Sequence, residues 1–457
     1  MATGISRPLA RAIKGRMFSA AAQAEPKLTA DDKEPRAYIK KLDNGMLVGT
    51  IETLSPVSRL AVVVKAGSRY ESGDNLGLTH CLRHATQLRT QNLSNLGITR
   101  TTQQLGSDIA CQGTREYLFY KGSVTRNCSA KVVEILQELT TKHVFRDWEL
   151  RDVQNSPNGM KLDLAVLKTR PDVRLMELLH AASFRETLGR SLYAPDFMIG
   201  KYTPEQLLHY VKTYFSAGRI ALCGVGVHQD ELEELANQFK PYSSVEVPQT
   251  NATFQGGEIR DNNGGPLSYV ALSYAGPSQT SKDLLPSEVL RHVLGVGPHI
   301  KYSTASVASQ LGKAVIKVTD SPFAITSINT NYSDAGLFGF SVVAPNSQIE
   351  KVVRTAANSF RSILTSGVTD QDVQRAKTKL KAEIAMVFEN PDNLILWLGE
   401  QTINSDHILT PQEVYKLIDP ISTADVNNVA KKIASSKSAL VATGNTNNVP
   451  YLDKLFS

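Results

Sequence analysis

No stretch of this 457-residue chain approaches the roughly 18 to 20 uninterrupted apolar residues that a helix needs to cross a bilayer. Runs such as Leu60–Val64 and Ile220–Val227 have the length of buried strands, so any membrane association must go through a partner or the surface. Cysteine is equally scarce. Cys81, Cys111, Cys128 and Cys223 are the whole complement, and no two form a Cys-x-x-Cys pair. Four thiols in so long a chain do not make a disulfide framework and are consistent with a reducing compartment. There is no Gly-x-Ser-x-Gly elbow, phosphate loop or dinucleotide fingerprint. Gly295-Val296-Gly297 is too short for one and reads as a turn after the helical segment Val289–Leu294.

Acidic residues are missing from the first 24 positions, where Arg7, Arg11, Lys14 and Arg16 supply the charge. That composition is expected of a mitochondrial presequence, here residues 1–18 with cleavage after Phe18, followed by a flexible stretch over 19–35. No apolar run follows the basic start, which excludes a secretory signal. The 50 Lys and Arg residues, less these four, leave 46 against 44 Asp and Glu. A body so close to neutral argues against a nucleic-acid binder, which would normally show a basic face or stripe.

What is present is the composition of a globular protein, 41% hydrophobic and 21% charged, too long for one core. Strand-like Tyr38–Leu42 and Met46–Ile51 flank the hairpin signal Asp43-Asn44-Gly45. Leu60–Lys65 reads as a buried strand, and Leu78–Leu88 carries apolar residues at helical spacing. A strand pair around Asp108–Cys111 and Tyr117–Val124 precedes a helix at Ala130–Leu139. Further helices at Leu175–Phe184 and Pro204–Tyr214 lead to the strand Ile220–Val227. The Pro-, Gly- and Asn-rich segment 241–266 is the expected linker. It separates domains over 36–240 and 267–457, which repeat one plan. Leu82-Arg83-His84 recurs as Leu290-Arg291-His292, and Asp152-Val153-Gln154 as Asp372-Val373-Gln374, in the same order. The expected fold is α+β: two homologous domains, each a mostly antiparallel sheet with helices packed on one face.

One segment has the look of a metal site. His80 and His84 lie four apart on a predicted helix and project from the same face, the spacing at which two imidazoles chelate one zinc ion. A zinc hydrolase also needs a third ligand and a carboxylate to act as general base. Gly77-Leu78-Thr79-His80-Cys81-Leu82-Arg83-His84 resembles the inverted His-x-x-Glu-His motif of the pitrilysin/insulinase metallopeptidases, a family that includes the mitochondrial processing peptidases. Lys65–Glu71 and Asn75-Leu76-Gly77 resemble that family's approach to the motif. The resemblance implies the family's two-domain fold, and it assigns the general base to the position held here by Arg83. A guanidinium has no acceptor and cannot take a proton from water. At about 4 Å it would repel a dication by roughly 8 kcal/mol at an effective dielectric of about 20. The family's third ligand is a Glu further along the chain; the corresponding window, Asn158–Ala165, holds no Glu, and Asp163 is the nearest candidate. No catalytic residue, metal or cofactor is therefore expected. His80 and His84 read as hydrogen-bonded helix residues.

The long glycine-rich loop of the inactive processing-peptidase subunit would fall near Leu294–Ser303, where only Gly295 and Gly297 occur. Ser191–Lys201, Gly256–Arg260, His292–Lys301 and Asn331–Phe340 are instead similar to the family's inactive branch, the core proteins of ubiquinol–cytochrome c reductase, respiratory complex III. This resemblance implies a matrix-side scaffold, peripheral to the mitochondrial inner membrane. Its implied partners are the first core protein, cytochrome b and other subunits of that complex, with no haem, quinone or iron–sulfur ligand on this chain. It leaves two alternatives: a subunit of a presequence-processing peptidase, and a module holding a cleaved presequence peptide in the cavity between paired core proteins.

Overall fold

A computed structural model describes residues 37–156, 159–243, 247, 249–297 and 309–455. The expected presequence, residues 1–18, and the stretch 19–35 lie outside the described residues, as do positions 298–303 of the glycine-loop region.

The Asn-Gly signal makes the expected hairpin between β1 (Ala37–Lys41) and β2 (Leu47–Ile51). Gly45 adopts φ +80°, a region costly for a residue with a Cβ, and Asn44 accepts the Met46 N–H at 3.0 Å. In β3 (Val57–Val64), Leu60, Val62 and Val64 enter one core while Ala61 and Val63 enter another. Both faces are covered, which is why the strand reads as an unbroken apolar run. With β4 (Asp108–Gly113), β5 (Leu118–Thr125) and β6 (Ile220–Val225) these form a sheet in the order β1-β2-β6-β3-β5-β4. It is antiparallel except for β2 against β6.

The second sheet contains β7 (Gly257–Asn262), β8 (Leu267–Gly276), β9 (Ala324–Asn331), β10 (Gly336–Pro345) and β11 (Ser438–Gly444). Its order is β7-β11-β8-β10-β9, with β7 and β11 parallel. With β1 set aside, both sheets share one topology, and the duplication suggested by two tripeptides extends to strand order. The segment expected to be a linker supplies β7, so its last third belongs to the second sheet.

The helices that build the cores and the site are, in the first half, α1 (Leu78–His84), α2 (Ser129–Thr141), α3 (Asp147–Asn155), α4 (Met160–Thr169), α5 (Pro171–Phe184) and α6 (Pro204–Tyr214). The second half contributes α7 (Leu284–Leu294), α8 (Ile349–Ser366), α9 (Asp370–Glu389), α10 (Pro391–Asn404) and α11 (Thr423–Ala434). The helix expected over Leu78–Leu88 ends at His84 and tightens into a 3-10 turn, Ala85–Gln87. The polar helix containing Asp152 breaks before Met160, and a Cβ on Gly159 would sit 2.2 Å from the Val153 carbonyl oxygen. Its counterpart α9 runs unbroken.

Each sheet packs one face against helices of its own half: α1, α2 and α6 on the first, α7, α8 and α11 on the second. The opposite faces are covered by exchange. Leu394, Ile395 and Leu398 of α10 bury themselves against Ile51, Val63, Phe119 and Val225 of the first sheet. Leu175, Leu179 and Ala182 of α5 do the same against Ala271, Ala439 and Val441 of the second. Arg69 extends the junction: its Nη1 donates to Glu116 Oε1 at 2.7 Å and to Asp334 Oδ1 at 2.7 Å. The residues from Ala37 onward form one compact unit. Among the described residues no helix is long and apolar enough to cross a membrane.

Candidate metal centre

Helix α1 begins where Gly77, at φ +78°, brings the chain so close to Ala194 that a Cβ would lie 2.3 Å from its Cα. The buried Glu71 carboxylate accepts the N–H groups of Gly77 (2.7 Å) and Thr79 (2.9 Å) and the Thr79 hydroxyl (2.7 Å), satisfying orphan donors of the first turn. Burial pushes its pKa up to about 7, against the pull of those hydrogen bonds.

From this anchored turn His80 and His84 both point at α4. Asp163 Oδ2 lies 3.1 Å from His80 Nε2 and 3.0 Å from His84 Nε2. The three possible donor atoms fall within 4.8 Å of one another. Hydrogen bonds from His80 and then His84 hold the Asp163 pKa down to about 2, against partial burial. Burial pulls His80 down to about 4 although Asp163 favours its charged form. Of the four positions singled out in the sequence, three converge, with Asp163 against both imidazoles. Arg83 turns away, donating to the Leu192 carbonyl and lying 5.7 Å from the centre of the Tyr193 ring.

The loop that receives Arg83 was not legible as part of the site. Glu177 of α5 accepts the Ser191 hydroxyl (2.8 Å) and the Leu192 N–H (2.9 Å), and is itself held by Arg115 at 2.8 Å. The loop so fixed presents the Ala194 N–H to His80 Nδ1 at 3.1 Å. Its only signal in the sequence was that it opens Ser191–Lys201, one of the stretches carrying the family resemblance. Beside it a cavity of about 420 Å³ is lined by Leu164, Leu167, Leu178 and Tyr193.

Residues 48–196 match the model of the insulinase family, peptidase family M16, and residues 201–380 match the M16 inactive domain. Mitochondrial cytochrome b-c1 complex subunit 2 of Homo sapiens is 36% identical over 91% of both chains. The chain belongs to the M16 family. The same subunit of Mus musculus is 34% identical over 91% of both chains. A probable mitochondrial-processing peptidase subunit alpha-1 of Arabidopsis thaliana is 24% identical over 94% of this chain and 86% of that protein.

Membership of the M16 family implies zinc, and two imidazoles with a carboxylate are a sufficient donor set in number and kind. Their hydrogen bonding does not fit it. A metal-bound histidine donates its second ring N–H to an acceptor, whereas the second nitrogen of His80 accepts an N–H from Ala194. Arg83, at the position to which the resemblance assigns the general base, offers no lone pair. The arrangement can link α1 to α4 by charge-assisted hydrogen bonds.

Proposed function

We propose that this chain is a non-catalytic core subunit of the cytochrome b-c1 complex, respiratory complex III, and that it serves the assembly and stability of that complex. The observation that carries the reading is similarity over 91% of both chains at 36% identity to a subunit of that complex. Identity to mitochondrial-processing peptidase subunits is lower, 24% for one alpha subunit and 26% for another. The site supports the same reading, since Arg83 stands where the family's proton acceptor would be and His80 faces Asp163 with a proton rather than a lone pair. In this reading residues 1–18 are a cleaved presequence, residues 36–240 and residues 267–457 together with β7 are the two M16-like domains, and His80, Arg83, His84 and Asp163 are relics of the peptidase site. The partners are another core protein and cytochrome b, on the matrix side of the inner membrane.

A native gel of mildly solubilised mitochondria, with mass spectrometry of each band, tests this. The chain should comigrate with cytochrome b and the first core protein. Migration as a small soluble heterodimer apart from them would instead establish the processing-peptidase alternative.

A further inference from the structure

The repeated tripeptides align the two halves residue by residue at the candidate centre. Helix α1 lies between β3 and β4, and α7 between β8 and β9. The repeated Leu-Arg-His places Arg291 and His292 opposite Arg83 and His84, so Glu288 stands opposite His80. The repeated Asp-Val-Gln places Glu383 of α9 opposite Asp163 of α4, since each lies eleven residues beyond its Asp. The second half closes this constellation with protein groups alone. Glu383 Oε2 is 2.8 Å from His292 Nε2 and 2.8 Å from Arg291 Nη2, while Arg291 Nε donates to Glu288 at 2.6 Å.

We infer that His80, His84 and Asp163 form a metal-excluding latch between α1 and α4, held in that state by the backbone N–H of Ala194, and that Glu288, Arg291, His292 and Glu383 are the same latch in the second half. The decisive atom is His80 Nδ1. It accepts the Ala194 N–H at 3.1 Å, so the neutral ring carries its proton on Nε2 and donates it to Asp163. Zinc at Nε2 would displace that proton, and the neutral ring would carry it on Nδ1, where it meets the Ala194 N–H head-on. Ala194 is buried, and its N–H would be left without its acceptor. The loss of one such bond weakens zinc binding by about one to two orders of magnitude. The loop cannot easily yield, because Glu177 grips Ser191 and Leu192 from α5. Asp163 meets two imidazoles with one oxygen, as Glu383 meets an imidazole and a guanidinium with one oxygen. The shared plan is a carboxylate on α4 or α9 joined to cationic or N–H-bearing groups on α1 or α7. This inference holds whichever assembly the chain joins.

The purified full-length chain tests it in two ways. After equilibrium dialysis against micromolar zinc, wild type and Asp163→Asn should retain the same small fraction of an equivalent. One zinc per wild-type chain, lost in Asp163→Asn and His84→Ala, would overturn the inference. A long-range proton–nitrogen spectrum of the histidine-labelled chain should show His80, assigned by its loss in His80→Gln, with its proton on Nε2; a proton on Nδ1 would likewise overturn it. Asp163→Asn and Glu383→Gln should each lower Tm by about 2–4 °C, and an unchanged Tm in both would remove the latch role.

Discussion

A glutamate restored at position 83 would return the family's proton acceptor but leave the His80 proton where it is. Arg83→Glu alone should therefore show no zinc-dependent cleavage of a presequence peptide, while losing the bond to Leu192 and the contact with Tyr193. The expected cost is about 1–2 kcal/mol in denaturant unfolding; measurable zinc-dependent cleavage by this single variant would contradict the assignment. The second half offers a separate reading by acid. Hydrogen bonding from His292, with Arg291 beside it, holds the Glu383 pKa down to about 2 from an ordinary 4.5. A carboxylate so depressed stabilises the fold above its unfolded pKa, and that stability is lost as pH falls through the folded value. Between about pH 4.5 and 2 the Tm of wild type should fall more steeply than that of Glu383→Gln. At this scale the sequence was a partial guide. The spacing of His80 and His84 and the chemistry of Arg83 were readable. Asp163 was located only as a neighbour of the lost ligand, because a distance of 79 residues along the chain says nothing of approach in space. The Leu192 carbonyl and the Ala194 N–H were invisible, since backbone atoms carry no residue-type signal.

Among the elements, α10 shows how local pattern and tertiary destination part company. Leu394, Ile395 and Leu398 announce an apolar helix stripe, but nothing in that stripe says it will cover the sheet of the other half. The seat is built for close approach. A Cβ on Gly399 would fall 2.6 Å from Val63 Cγ2 and 2.9 Å from Phe119 Cε1, both in the sheet that α10 covers. In an exposed helix, alanine in place of glycine would stabilise by about 1 kcal/mol. Here overpacking, typically about 1–3 kcal/mol, opposes that gain and is larger. Gly399→Ala should thus destabilise the chain in equilibrium denaturation, and a rise in stability would show that α10 does not sit so tightly. Strands such as β3 were legible because their apolar runs are short and bounded. The break between α3 and α4 was not, because it depends on the fit of Gly159 against the Val153 carbonyl.

For the whole molecule, the exchange of α5 and α10 makes each half incomplete without the other. The duplication itself was readable in order and spacing, yet a repeat of sequence does not reveal which half supplies the second layer of each sheet. The natural place to cut is between Ser243 and Thr250. Tyr242 still bridges to Ser216 of the first half, whereas Ala252 already donates to Asp334 of the second at 2.8 Å. The first fragment would expose the face formed by Ile51, Val63, Phe119 and Val225, and the second the face formed by Ala271, Ala439 and Val441. Burying one leucine or valine side chain contributes about 1.5–3 kcal/mol, so uncovering a face with its helix removes on the order of 10 kcal/mol. That equals the net stability of an ordinary domain, about 5–15 kcal/mol. Each fragment produced alone should bind a hydrophobic dye and lack a cooperative transition. Produced together they should recover one transition and run as a one-to-one complex in size exclusion. Two fragments that fold cooperatively alone would show that the exchanged helices decorate finished domains, whereas mutual rescue would mean that the chain folds as the single body its packing describes.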